Sequence, residues 1–405
     1  MKKLLDHFAS KLAAQGLAHP DEILLLGLDA EVTANRPGSP FRTELERVFG
    51  MISVTSLLFS TPEEPYRSII RSLTAQGQDR LVPSDCETRT FFHDIPVIDR
   101  FRAEEISRAL SLRKAAIVRG AGIVSCGTVS PEQAFVSYSS ACFSTFVKYF
   151  TGAMFSLEDS LRDRRPADPS FLSEFAEIVA LLPKDAPPAA DIPENGPDSE
   201  GAVIDAIVRT GRALVGHRLV DSYFGNISCV WGEKIYISQT GSSLDELETT
   251  IDAVPLDGSS SAGITASSEL SAHLGIYRAT GCRTIVHGHP KFSVIMSMAC
   301  REPGCDPADC YRTCVKPRRI GDVPVVSGEI GTGPTGLART VPAALAGSDA
   351  AAVFGHGVFT TGRSGFRAPF LRMREIEEAS RRQYIEKMKS LARQFGSFQN
   401  PKDIW

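Results

Sequence analysis

A chain of 405 residues exceeds what one hydrophobic core comfortably holds, so two domains are expected, and 42% hydrophobic with 23% charged residues is the balance of an ordinary globular protein. The formal net charge of -4, with no basic stripe, excludes nucleic acid or an anionic membrane surface as the main partner. No apolar run reaches the roughly 18 residues of a spanning helix, and the expected location is the cytoplasm.

The N-terminal MKKLLDHFASKLAAQ is broken by Asp6, His7 and Lys11, so it reads as an amphipathic helix rather than a leader. Helical material is expected to about residue 80. A strand DIPVIDRF (94–101), a helix AEEISRALSL, a strand KAAIVRGAGIV (114–124) and a helix over 131–150 follow. Residues 184–201, KDAPPAADIPENGPDSEG, are rich in Pro, Asp and Gly and form a linker. It separates an N-terminal part, 1–183, from a C-terminal domain, 202–405.

The second part opens with the helix AVIDAIVRTGRALVGHRL. Gly225 and Asn226 then sit where a loop becomes a strand, and the strand IYIS runs into Thr240 and Gly241. Ser267 and Ser268 precede a helix in which Leu270, Leu274 and Tyr277 keep the helical period. Freed backbone N–H groups, hydroxyls and an amide in these three turns suit a phosphate or carboxylate. Glu269 falls in the first turn of that helix, where its charge favours the dipole.

TIVHGHPKFS (284–293) is a short β-branched run with two histidines one residue apart. In a strand, side chains at i and i+2 share a face about 7 Å apart. His287 and His289 therefore project together with Ile285, and Val286 and Gly288 face the other way. A third histidine, His356, lies in GHG within the strand-like AAAVFGHGVFTTG (350–362), before a long helix to about residue 391. Three neutral imidazoles and the carboxylate of Glu269 compose an open divalent site of the zinc type, the carboxylate alternating between ligand and base.

KAAIVRGAGIVSCG (114–127) aligns with DAAAVFGHGVFTTG (349–362) through Gly-x-Gly and the closing glycine, and each precedes a helix. An internal repeat follows, degenerate and partial in its first copy, with Ala121 at the place of His356. Nothing before residue 90 matches residues 202–300. Nine cysteines argue for reduced thiols, but Cys300, Cys305, Cys310 and Cys314 crowd one loop that is a candidate second site for zinc or an iron–sulfur cluster.

GNIS (225–228), TGSS (240–243), SSEL (267–270), HGHP (287–290) and GHG (355–357) stand in an order and spacing that resembles the class II aldolase/adducin family, of which L-fuculose-phosphate aldolase and L-ribulose-5-phosphate 4-epimerase are typical. The resemblance spans about residues 202–390. It implies an α/β fold, an α/β/α sandwich with a mostly antiparallel sheet in the C-terminal domain. His287, His289 and His356 would bind Zn2+, or Mn2+, Fe2+ or Co2+. Glu269 would be acid/base and fourth ligand, and Gly225, Asn226, Thr240, Gly241, Ser267 and Ser268 would hold a substrate phosphate. Family sites usually receive a tyrosine from a neighbouring subunit, and Tyr311 is the candidate.

The implied function is a metal-dependent lyase of carbohydrate metabolism, cleaving or forming a C–C bond in a small phosphorylated or carboxylated keto-sugar-like substrate through a metal-stabilised enediolate. An epimerase, dehydratase or decarboxylase, or a non-catalytic adducin-like assembly protein, is the alternative. The family often has Asp in its epimerases where this chain has Glu269, and its adducin relatives lack the histidines, so the resemblance favours an aldolase-type enzyme. A homo-oligomer is implied, with the N-terminal half as a pseudo-subunit.

Overall fold

The computed structural model describes residues 1–395 apart from 185–189, 222, 301, 303–304, 306–308, 310–311, 313, 315, 329–332 and 334. The chain divides into two compact units, residues 1–184 with the stretch from Met388 onward, and residues 185–387. Each unit is built on its own sheet.

The second unit carries eight strands: β8 (Asn226–Trp231), β9 (Lys234–Ser238), β10 (Ile251–Pro255), β11 (Thr284–Gly288), β12 (Arg318–Ile320), β13 (Val323–Val326), β14 (Ala350–Val353) and β15 (Val358–Gly362). Their order is β10-β9-β8-β11-β15-β14-β13-β12, antiparallel except for the β13–β14 pair. β11 lies near the centre and is buried throughout, which its β-branched residues suit. On one face, Ile285 and Phe359 pack with Ala272 and Ile276 of the helix Leu270–Thr280 and with Leu337, Val341 and Leu345 of the helix Leu337–Leu345. On the other, Gly288 meets Met373 of the helix Arg367–Arg393. The sheet is thus mostly antiparallel between helical layers.

The first unit carries β1 (Leu24–Leu28), β2 (Val32–Ala34), β3 (Ser56–Ser60), β4 (Arg80–Leu81), β5 (Ile95–Ile98), β6 (Ala115–Val118) and β7 (Gly122–Gly127). Their order is β2-β1-β3-β7-β6-β5-β4, with β5–β6 the parallel pair. Strand for strand this matches β9-β8-β11-β15-β14-β13-β12, so the repeat reaches back to residue 24 and is longer than the sequence shows.

The expectation of helical material to residue 80 is corrected by β1, β2 and β3. LLLGL and SLLFS are continuous apolar runs, buried along their length, whose periodicity does not separate strand from helix. The single strands expected over 114–124 and 350–362 are also corrected. Each is an antiparallel hairpin, turned at Gly120 and Gly355 with φ of 72° and 60°.

Candidate active site

His287 is the last residue but one of β11, His289 follows the strand, and His356 occupies the turn between β14 and β15, of which β15 pairs with β11. The ligand atoms of these three histidines lie within 4.8 Å of one another, and all three side chains are buried. The His287 and His289 Nε2 atoms are 3.1 Å apart, close to the roughly 3.3 Å between two nitrogens on a tetrahedral zinc. His287 Nδ1 lies 3.1 Å from the Val358 carbonyl oxygen, to which it donates, so its Nε2 keeps a lone pair facing the cluster.

Glu269 stands at the head of the helix Leu270–Thr280. Its Oε2 is 3.5 Å from His287 Nε2 and its Oε1 3.5 Å from His356 Nε2. Three imidazole nitrogens and a carboxylate converge here, a donor set that fits a borderline divalent ion. Burial pushes His287 down to about 3 and His356 to about 4, and lowers His289 well below its usual value. The rings therefore stay neutral and able to ligate at ordinary pH. Burial also raises the Glu269 carboxyl, against the pull of His356 and the Asn226 amide.

Two glycines let the main chain come this close. A Cβ on Gly357 would stand 2.7 Å from His287 Cε1 and 2.8 Å from His289 Cδ2. Gly225, at φ 90°, has the His287 carbonyl oxygen 2.4 Å from where its Cβ would be. Phe359 stacks on His287 with centroids 3.9 Å apart, and Phe224 lies parallel to His289 at 5.4 Å.

The structure places the other sequence candidates as follows. Asn226 is buried, and its Nδ2 donates to Glu269 Oε2 at 2.8 Å, so its side chain is engaged with the carboxylate. Ser267 Oγ accepts from the Glu269 backbone N–H at 3.3 Å. Thr240 Oγ1 accepts from the Ser268 N–H at 2.7 Å, which joins the two hydroxyl-bearing turns. Thr240, Gly241 and Ser268 are exposed. Tyr311 and Cys310 lie outside the described residues. Cys300, Cys305 and Cys314 form no disulfide.

The sequence reading gave no site role to His273, Ser228 or Tyr277. His273 Nε2 lies 2.5 Å from Asn226 Oδ1, its Nδ1 lies 2.6 Å from Ser228 Oγ, and Ser228 Oγ lies 2.7 Å from the Tyr277 hydroxyl. The available signal was that His273 follows Glu269 by one helical turn, which puts both on one face.

Residues 205–384 match the family model of the class II aldolase and adducin N-terminal domain. Over 184 residues, covering 44% of this chain and 82% of the relative, the sequence is 29% identical to a 3-oxo-tetronate 4-phosphate decarboxylase of Pectobacterium atrosepticum. Over 138 residues it is 28% identical to a probable bifunctional methylthioribose-1-phosphate isomerase/methylthioribulose-1-phosphate dehydratase of Nocardia farcinica, covering 32% of this chain and 23% of that protein. Among solved structures, an L-fuculose-1-phosphate aldolase of Thermus thermophilus is similar over 47% of this chain and 97% of its own, with 24% identity and a TM-score of 0.39. YgbL of Escherichia coli, titled a putative aldolase/epimerase/decarboxylase, gives 21% identity and 0.37 over 47% of this chain and 98% of its own.

Proposed function

We propose, for a chain whose residues 205–384 belong to the class II aldolase and adducin family, a metal-dependent lyase activity on a small phosphorylated keto-sugar-like or keto-acid substrate. The observation that carries this reading is Glu269, whose two carboxylate oxygens each face a histidine of the buried cluster at 3.5 Å. His287, His289 and His356 would hold a divalent ion, with Glu269 beside it. Bound there, the ion supplies Lewis acidity toward a carbonyl oxygen and its neighbouring hydroxyl.

The chain's own groups do the rest. Glu269 carries the proton that the enediolate carbon gains in cleavage and loses in condensation, and its burial keeps that proton from exchanging freely with water. The hydroxyl proton of the departing aldehyde fragment is assigned to the phenolate form of Tyr311, which gives it back in condensation. The exposed hydroxyl and amide groups of Thr240, Gly241 and Ser268 are the proposed phosphate cradle, with Gly225, Asn226 and Ser267 behind them. A decarboxylase is the second reading, favoured by the 29% identity to a 3-oxo-tetronate 4-phosphate decarboxylase. Carbon dioxide would then leave in place of the aldehyde, and only the Glu269 step would remain.

The test is turnover of the metal-loaded protein on a panel of 2-ketose 1-phosphates and 3-oxo acid phosphates, with Glu269→Gln in parallel. Expected is release of an aldehyde or carbon dioxide by the wild type, reduced about 10²-fold or more in Glu269→Gln with the metal retained. Metal-loaded wild type that turns over no member of the panel contradicts the lyase reading.

A further inference from the structure

A directed chain of hydrogen bonds runs from Tyr277 to Glu269. Beside a bound divalent ion the Glu269 carboxylate is ionised and only accepts, so the Asn226 amide turns its NH2 toward it, as the 2.8 Å contact has it. Asn226 Oδ1 then faces His273 Nε2 and needs a donor there, which makes His273 the Nε2–H tautomer. His273 Nδ1 must accept from the Ser228 hydroxyl, whose oxygen in turn accepts from Tyr277. Each link of the chain then has one donor and one acceptor, and its direction is fixed by His273 offering one donor and one acceptor on opposite sides of its ring.

The first unit provides an internal comparison. Phe59 pairs with Leu24 and Val124 as His287 pairs with Asn226 and Phe359. From that register residues 39–62 run without a gap alongside 267–290. Ser39 Oγ accepts from the Phe41 N–H at 3.4 Å just as Ser267 Oγ accepts from the Glu269 N–H at 3.3 Å. The positions of Glu269, His287, His289 and His356 are held by Phe41, Phe59, Thr61 and Ala121. The positions of Asn226, Ser228, His273 and Tyr277 are held by Leu24, Leu26, Leu45 and Phe49, in an apolar cluster that also includes Phe59. A polar chain that served only to stabilise the fold could have outlived the histidines. Instead, the whole chain is replaced where the histidines are replaced.

We propose that His273 is a positioning residue, which through Asn226 holds the Glu269 carboxylate against the His287/His289/His356 cluster. This rests on the metal-site reading above. His273 itself touches no ligand atom of the cluster, and it acts by fixing which end of the Asn226 amide faces Glu269.

The test uses the full chain loaded with Co2+, followed by visible absorption and by titration, with Glu269→Gln as reference. His273→Gln places an amide near the position of Nε2 and keeps the link to Asn226. His273→Asn places one near Nδ1 and keeps only the link to Ser228. Expected is a wild-type spectrum and affinity for His273→Gln. His273→Asn should show a Glu269→Gln-like spectrum and Co2+ binding about tenfold weaker than wild type, the loss typical of a ligand's hydrogen-bond partner. If His273→Asn fails to fold, His273→Leu, the residue type of the first unit, should give the same altered spectrum. A wild-type spectrum and affinity in the Asn variant, or in Leu should Asn not fold, overturns the positioning role and leaves the metal site standing. A wild-type protein that takes up no Co2+ overturns the metal site and this proposal with it.

Discussion

His273 illustrates how burial sets chemistry at a single residue. Its ring is fully buried and is pushed from 6.5 down to about 3. The unfolded chain takes up a proton near pH 6.5 that the folded chain refuses until about pH 3, so the stability this group contributes is complete above pH 6.5 and is lost as the pH falls toward 3. In chelator-treated protein, between about pH 4 and 5.5, the unfolding free energy of the wild type should rise with pH more steeply than that of His273→Gln, by about 1.4 kcal/mol per pH unit. Urea unfolding measures both slopes, and equal slopes would contradict a neutral buried ring. The histidine pair and GHG were legible in the sequence because metal chemistry restricts residue type sharply. His273 was not, since a histidine one turn into an amphipathic helix looks like any polar position until Asn226 is brought to it from β8.

At the scale of elements, the approach of the β11 end to the β14–β15 turn makes the cluster, and that approach depends on Gly357. A Cβ there would overlap the Gly288 carbonyl oxygen at 2.5 Å as well as both histidine rings. Gly357→Ala should therefore destabilise the protein by about 1–3 kcal/mol and weaken metal binding about tenfold or more. Thermal unfolding and a metal titration check this, and an unchanged titration would mean that the turn yields without moving His287. The short β-branched run TIVHG located β11, a strand buried on both faces. The GHG segment was read as one strand because apolar, strand-like residues flank it on both sides. The hairpin appears only when β14 and β15 pair with each other.

Over the whole molecule, two units share one strand order and only the second presents the cluster among the described residues. The repeat was visible at 114–127 because Gly120, Gly122 and Gly127 preserve the turn geometry there. It was invisible at 39–62 because the site positions changed from polar to apolar while the backbone frame stayed. Phe41, Phe59 and Phe101 now pack on one another, with centroids 4.5–4.8 Å apart. Phe59→Ala should cost about 3–5 kcal/mol in urea unfolding yet leave the metal content unchanged. A change in metal content would show that the first unit still shapes the site. Arg119 and Lys148 are engaged within the first unit, Arg119 with Asp99 and the Gln78 carbonyl, Lys148 with the Val82 carbonyl.

The central claim is a single buried three-histidine metal site in the second unit. Elemental analysis of purified wild type beside His356→Ala tests it most directly. One divalent ion per chain in the wild type and loss of that ion in the variant are the predicted result. A wild type without metal after exposure to Zn2+, Mn2+, Fe2+ and Co2+, or equal metal content in the two proteins, would contradict it.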